Sequence, residues 1–230
     1  SLEVREDLRV PMDKFLLDNS RIKFDSYTFD GQRQALSAVL RMPKGSTLVV
    51  NLPTGSGKTL LFHAPLLMRE AKGLTVVIVP TTALALDQER RFLELGIHTK
   101  KEPRAFHSGL DEVEKQEIKH RIRQGTQDIL FSSPEAVVKN LLPALYDCAE
   151  NGMLSYLFVD EAHMISDWGD TFRKDFQALA GVWRGLSEVV GANNFKTVLL
   201  SATFTKIDLE LIDILFGPPQ RVQFFSAIHM

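Results

Sequence analysis

The chain has 230 residues, 44% hydrophobic and 24% charged, the composition of a soluble globular protein long enough to bury one large core. Its 27 basic and 29 acidic residues leave a formal charge of −2 and a pI near 6.3. No global field therefore advertises nucleic acid or an anionic membrane, and any DNA contact has to rest on local residues. A single cysteine, Cys148, excludes an internal disulfide framework and a cysteine zinc cluster, and is expected to be a small buried apolar residue in a reducing compartment.

No apolar run approaches the ~18 residues needed to span a bilayer, and the N-terminus lacks the basic-then-apolar profile of a signal peptide. The expected location is cytoplasmic in a bacterium and nuclear in a eukaryote. Beginning at Ser1 and stopping shortly after "QRVQFFSAIHM", the sequence is expected to be part of a longer chain. Residues 1–23 read as an N-terminal extension and 24–230 as one domain.

Along the chain, short β-branched runs alternate with helical stretches. The runs are "STLVVN" (46–51), "TVVIVP" (75–80), "DILFSS" (128–133), "LSYLFVD" (154–160), "TVLLSAT" (197–203) and "RVQFF" (221–225). Apolar residues at successive positions suit strands buried on both faces, and strand–helix alternation implies right-handed crossovers. The fold class is α/β, a mostly parallel sheet with helices on both faces. "MPKGS" (42–46) and "FGPPQ" (216–220) read as turns. Residues 111–124, opened by acids, closed by bases and stopped at Gly125, read as an exposed helix whose Lys119, His120, Arg121 and Arg123 form a solvated end.

Ligands of such sheets bind beyond the carboxyl ends of the strands. After the first run stands "PTGSGKT", residues 53–59. The strict phosphate-loop spacing wants a glycine where Leu52 stands, but strand, glycine-rich turn, Lys-Thr and apolar helix follow in register. Thr54, Gly55, Ser56 and Gly57 would close backbone N–H groups around an anion, Lys58 would reach the terminal phosphates, and the Thr59 hydroxyl would sit on Mg²⁺. After the fourth run come Asp160 and Glu161. Asp160 is assigned to the metal and Glu161 to the base that accepts a proton from the attacking water. His163 is cast as a hydrogen-bonding link, because Mg²⁺ favours oxygen donors.

These segments together resemble the DEAH-type members of helicase superfamily two, and among them the RecQ-like DNA helicases, over residues 24–205. "PTGSGKT" looks like motif I, "VPTTALALDQ" like motif Ia, "SSPE" like the later segment ending in Pro134 and Glu135, "VDEAH" like motif II and "SAT" (201–203) like motif III. "FDGQRQAL" resembles the upstream motif whose glutamine, here Gln32, reads the adenine edge, with Phe29 or Tyr27 available to stack on the base. Where the family usually has an arginine ahead of this Gly-Gln pair, Asp30 stands instead.

The resemblance implies a P-loop NTPase of RecA-like fold, the first of two such lobes, using ATP and Mg²⁺. It also implies that Ser201 and Thr203 couple the nucleotide state to the DNA side; the alternative is that they cap the helix near Lys206. Thr81, Thr82 and Ser133 would contact the DNA backbone. A lone lobe is expected to be nearly inactive, since the arginine finger comes from the second lobe.

After motif II, RecQ-like helicases carry an aromatic loop that senses single-stranded DNA. "MISDWGDTFRKDF" keeps Trp168, Phe172 and Arg173 in matching places, and aromatic faces stack on bases whatever the sequence. Trp168, Phe172 and Phe176 are also four apart, the spacing of a core-facing helical stripe. Gly169 and its flanking acids favour a loop, so Trp168 is assigned to DNA, Phe176 to the core, and Phe172 is balanced between them. Asp167 and Asp170 replace residues that are uncharged or basic in the family, which weakens attraction to phosphate. The expected function is an ATP-dependent helicase motor acting on single-stranded DNA. A double-stranded DNA translocase of a bacterial restriction or defence system and an RNA helicase are the alternatives.

Overall fold

The structure, a computed structural model, describes residues 10–14, 17, 25–68, 71–95, 102–167, 170–190, 195–217 and 222–227. The side chains at 167 and 170–173 lie outside that description, as do Trp168, Gly169 and residues 218–220 of the expected turn.

Seven strands form the main sheet: β3 (Thr47–Asn51), β4 (Leu74–Ile78), β5 (Ala105–Phe106), β6 (Ile129–Ser132), β7 (Leu154–Val159), β8 (Lys196–Ser201) and β9 (Val222–Ser226). Their order is β5-β6-β4-β7-β8-β3-β9, and each pairing among them is parallel. Six correspond to the apolar runs, trimmed or shifted by a residue or two at the ends. The two-residue β5 had no run to announce it. A separate antiparallel pair joins β1 (Val10–Pro11) to β2 (Ser26–Tyr27) and brings Met12 into the core.

The helices are α1 (Asp30–Arg41), α2 (Thr59–Leu67), α3 (Thr82–Glu94), α4 (Glu112–Arg123), α5 (Pro134–Ala136), α6 (Leu142–Glu150), α7 (Met164–Asp167), α8 (Asp170–Val190) and α9 (Lys206–Phe216), with a π-turn at Val137–Leu141 between α5 and α6. Alternation along each strand splits the sheet's side chains between two cores. Tyr156 and Phe158 of β7 join α1, α2 and α3 through Leu36, Val39, Phe62 and Phe92, while Leu157 and Val159 join α4, α6, α8 and α9 through Ile118, Cys148, Phe176 and Phe216. Both faces are apolar because both are covered, which is why the runs lack polar alternation.

Phe176 packs edge-on against Phe216 with centroids 5.9 Å apart, in the core as expected. Buried Cys148 has its thiol pushed up to about 12 by that burial. The expected α4 helix carries a capping box between Asp111 and Glu114 and stops before Gly125. Its basic end is only partly solvated as expected: His120 is exposed, but Arg121 donates to the Pro103 carbonyl and the exposed Arg123 is paired to Asp147 at 2.7 Å.

His63 of α2 sits among Phe62, Phe92 and Phe131, its Nε2 buried without a hydrogen-bond partner. Burial pushes its imidazole down to about 3 from 6.5. The folded state therefore binds this proton less tightly than the unfolded chain, so stability is full above pH 6.5 and falls as pH drops from 6.5 toward 3. Between pH 6.5 and pH 5 His63 should cost about 2 kcal/mol. Urea unfolding of His63→Leu across that window should show a correspondingly shallower slope; an unchanged slope would assign the acid sensitivity to other groups.

Candidate nucleotide site

The carboxyl ends of β3, β7 and β8 are adjacent because these strands pair, with Asn51 level with Ser201 and Val159 level with Leu199. Leaving β3, the chain turns through Pro53–Lys58 and enters α2 at Thr59. Gly55 and Gly57 take left-handed φ values of 76° and 72°, backbone conformations of the kind from which anion-binding amide nests are built. A side chain at Gly55 would meet nothing within 4 Å, whereas a Cβ at Gly57 would lie 2.5 Å from Gln32 Nε2. Ser56 is buried, and its Oγ has no hydrogen-bond partner. An orphaned buried hydroxyl between two glycines at a helix start suits an anion such as phosphate.

Gln32 does more here than the sequence suggested. Its Oε1 accepts from the Thr28 N–H at 2.8 Å and its Nε2 donates to the Gly57 carbonyl at 3.0 Å, so it clamps the phosphate loop to the segment before α1. It also lines a cavity of about 360 Å³ with Thr28, Thr59, Leu60 and His63. Tyr27, suggested as a base-stacking ring, is instead core. It is 1% exposed, and its hydroxyl donates to Asp13 at 2.9 Å. The carboxylate of Asp30 is occupied by Arg33 and Gln34 on its own helix.

Asp160 and Glu161 follow β7, at the same sheet edge as the glycine loop. Burial pushes the Asp160 carboxyl above the usual carboxylate range, opposed by the Lys58 ammonium and reinforced by Glu161. A half-buried acid held this way gains most from a cation placed against it. Glu161 has φ 52°, the one non-glycine residue in the left-handed region among those described. That conformation costs roughly 1 to 2 kcal/mol. It turns the carboxylate toward the loop, where Oε1 meets Lys58 Nζ at 3.2 Å.

The other Glu161 oxygen lies 3.3 Å from His163 Nδ1, and that same nitrogen lies 2.8 Å from Ser201 Oγ. Ser201 Oγ in turn donates to the Thr203 carbonyl at 2.8 Å. A continuous path of polar contacts thus joins Lys58 to the Ser-Ala-Thr segment. The alternative that Ser201 and Thr203 cap the next helix does not hold. Thr205 is the N-cap of α9, its Oγ1 accepting from the Asp208 N–H at 3.2 Å. Asn51, which sequence reasoning passed over, adds a tie: with its amide nitrogen facing β8, it donates to the Ala202 carbonyl at 3.0 Å and the Ser201 carbonyl at 3.2 Å.

The suggested nucleic-acid residues divide. Thr81 and Ser133 cap α3 and α5, each accepting from a backbone N–H at 3.3 Å, and Thr82 is exposed at the start of α3. These ends belong to neighbouring strands β4 and β6, so they share one edge with the glycine loop. Trp168 and the side chains of Phe172 and Arg173 lie outside the described residues.

A parallel sheet with a glycine loop after one strand and an acid pair after another defines a P-loop NTPase domain of RecA-like fold. The family model described as "DEAD/DEAH box helicase" matches residues 29–212, and the chain belongs to that family. It is 31% identical over 210 residues to ATP-dependent DNA helicase Q5 of Rattus norvegicus, covering 90% of this chain and 19% of that protein. It is 32% identical over 174 residues to ATP-dependent DNA helicase RecQ of Pasteurella multocida (strain Pm70), covering 75% of this chain and 26% of that protein.

The chain thus spans about a fifth to a quarter of these relatives' length. Among solved structures, the DUF1998 helicase MrfA bound to DNA has the same fold at TM-score 0.69 and 20% identity, over 97% of this chain and 31% of that one. Mss116p bound to single-stranded RNA and AMP-PNP matches at TM-score 0.66 and 21% identity, over 94% and 43%.

Gln32 is held at both ends, so it cannot yield to a side chain at Gly57 without losing both bonds. In the full-length chain, Gly57→Ala should weaken binding of a non-hydrolysable ATP analogue by at least about tenfold, and Gly55→Ala by less, since only the first adds a clash to the backbone strain. Titration calorimetry checks this, and equal losses would remove Gln32 as the cause.

Proposed function

We propose that this chain is the first of two RecA-like lobes of an ATP- and Mg²⁺-dependent DNA helicase of RecQ type, with residues 24–230 as its nucleotide-binding domain. The observation that carries the proposal is the path from Lys58 through Glu161 and His163 to Ser201, which ties the phosphate loop to the loop after β8. Thr54 to Thr59 would cradle the phosphates, and Gln32 would read the adenine edge from the wall of its cavity. Mg²⁺ would be held by Thr59 and Asp160 and would supply charge neutralisation on the phosphates.

Glu161 is the base that takes the proton of the attacking water. Its pairing with Lys58 describes a resting arrangement, because phosphate oxygens compete for the same ammonium and free the carboxylate as they bind. His163 accompanies Glu161, so that exchange is felt at Ser201 and Thr203. Thr81, Thr82, Ser133 and the segment holding Trp168, Phe172 and Arg173 would meet the nucleic acid on the neighbouring surface, with salt-sensitive backbone contacts and base stacking. The named relatives are DNA helicases, which favours DNA over RNA as the substrate.

ATP hydrolysis by the full-length chain should be stimulated by single-stranded DNA, abolished in Lys58→Ala, and left at its unstimulated level in Trp168→Ala with ATP binding intact. Stimulation by duplex alone would favour a double-strand translocase, and stimulation by RNA alone would overturn the DNA assignment. Hydrolysis persisting in Lys58→Ala would sink the phosphate site itself.

A further inference from the structure

The cavity beside the phosphate loop is walled by three separate parts of the chain. The segment before and into α1 supplies Thr28 and Gln32, α2 supplies Leu60 and His63, and the end of α3 supplies Arg91, Glu94 and Leu95. These α3 residues stand three and four apart, so they share one helix face. Phe92, next to Arg91, is buried and meets the His63 ring with centroids 5.1 Å apart, which joins the two helices beside the cavity. At about 360 Å³ the space lies at the small end of ligand pockets, with room for a flat ring system.

The polar groups on this wall are not equally available. Gln32 has both ends of its amide engaged, with the Thr28 N–H and the Gly57 carbonyl, which leaves it one N–H and one lone pair. His63 is kept neutral by burial, and its Nε2 is buried without a partner. Two charged groups remain. Glu94 is held by Arg90 at 3.0 Å, whereas Arg91 is anchored through Nε, 2.8 Å from Asp87, and its terminal nitrogens have no hydrogen-bond partner among the described residues. An anchored guanidinium keeps a flat face and free N–H groups to offer a ligand.

We infer that Arg91 is a base-contacting residue, laid from α3 against the ring of the nucleotide whose phosphates fill the Pro53–Thr59 loop. This rests on the nucleotide reading above and adds a contact from a helix to which that reading gives no part in holding nucleotide. A guanidinium is attracted to the face of an aromatic ring, and Leu60 and Leu95 give the ring apolar cover from two helices. The contact belongs to the base alone. A polyphosphate without a base can occupy the glycine loop and has no ring to place in the cavity.

The experiment is titration calorimetry of the full-length chain with a non-hydrolysable ATP analogue and, separately, with inorganic triphosphate, both with Mg²⁺, for wild type, Arg91→Ala and Arg91→Lys. The Arg91 side chain is 55% exposed, so both variants should melt within about 2 °C of wild type. Arg91→Ala should weaken the analogue about fivefold or more and leave triphosphate within about twofold. Arg91→Lys keeps the charge without the planar face and should recover only part of the loss. An unchanged affinity for the analogue in Arg91→Ala, an equal loss for analogue and triphosphate, or full recovery in Arg91→Lys would each overturn the contact. Wild type that binds neither probe would instead overturn the proposed function and this inference with it.

Discussion

The parallel register of three central strands is the constraint on which the site depends. With β8 hydrogen-bonded between β7 and β3, Asn51, Val159 and Ser201 end close to level, and three loops leave the same edge side by side. The ladder continues past the strands: the Leu52 N–H donates to the Ser201 carbonyl at 3.0 Å and the Ala162 N–H to the Leu200 carbonyl at 2.8 Å. These backbone bonds hold Lys58, Glu161, His163 and Ser201 within reach of one another before any ligand arrives. A slip of one residue in either pairing would turn the strand faces over and part the groups, so the buried cores on both sides protect the geometry of the site.

Given that register, electrostatics organise the rest. Two acids and a lysine share a small space, and the acids answer it differently. Asp160 is deep enough for burial to raise its pKa, while Glu161 is swung out by its left-handed backbone to reach Lys58 and His163. Strain at a functional position is tolerated where the surroundings over-determine it, and the Ala162 bond to β8 together with the Asp160 N–H bond to the Ile78 carbonyl does so here. The orphaned Ser56 hydroxyl and the Asp160 carboxyl are both features whose cost would fall beside an anion and a cation respectively.

Much of this was legible in the residues alone. The apolar runs located six of the seven sheet strands, since a strand buried on both faces has no polar alternation to disguise it. The glycine loop, the acid pair and the order of short motifs named the chemistry, because phosphate binding demands residues with few substitutes. Phe176 was assigned to the core by its helical spacing and is found there, while Trp168 lies outside the described residues. The capping box over Thr205 and Asp208 was also written locally, as Thr-x-x-Asp, although nothing local said that the acid would be buried or accept from Ser166 as a second partner.

Sequence by itself therefore determined six of the seven sheet strands, the phosphate loop, the acid pair and the family motifs, all of which are written in short local stretches. Only the tertiary structure decided the strand order, the double clamp of Gln32, the place of Tyr27 in the core, the tie from Asn51 to β8 and the link from Ser166 to Asp208. The physical reason is that those features are hydrogen bonds and packing between residues far apart along the chain. Apolar strands of similar composition could pair in several orders, and the choice among them is made by which helices cover both faces of the sheet at once.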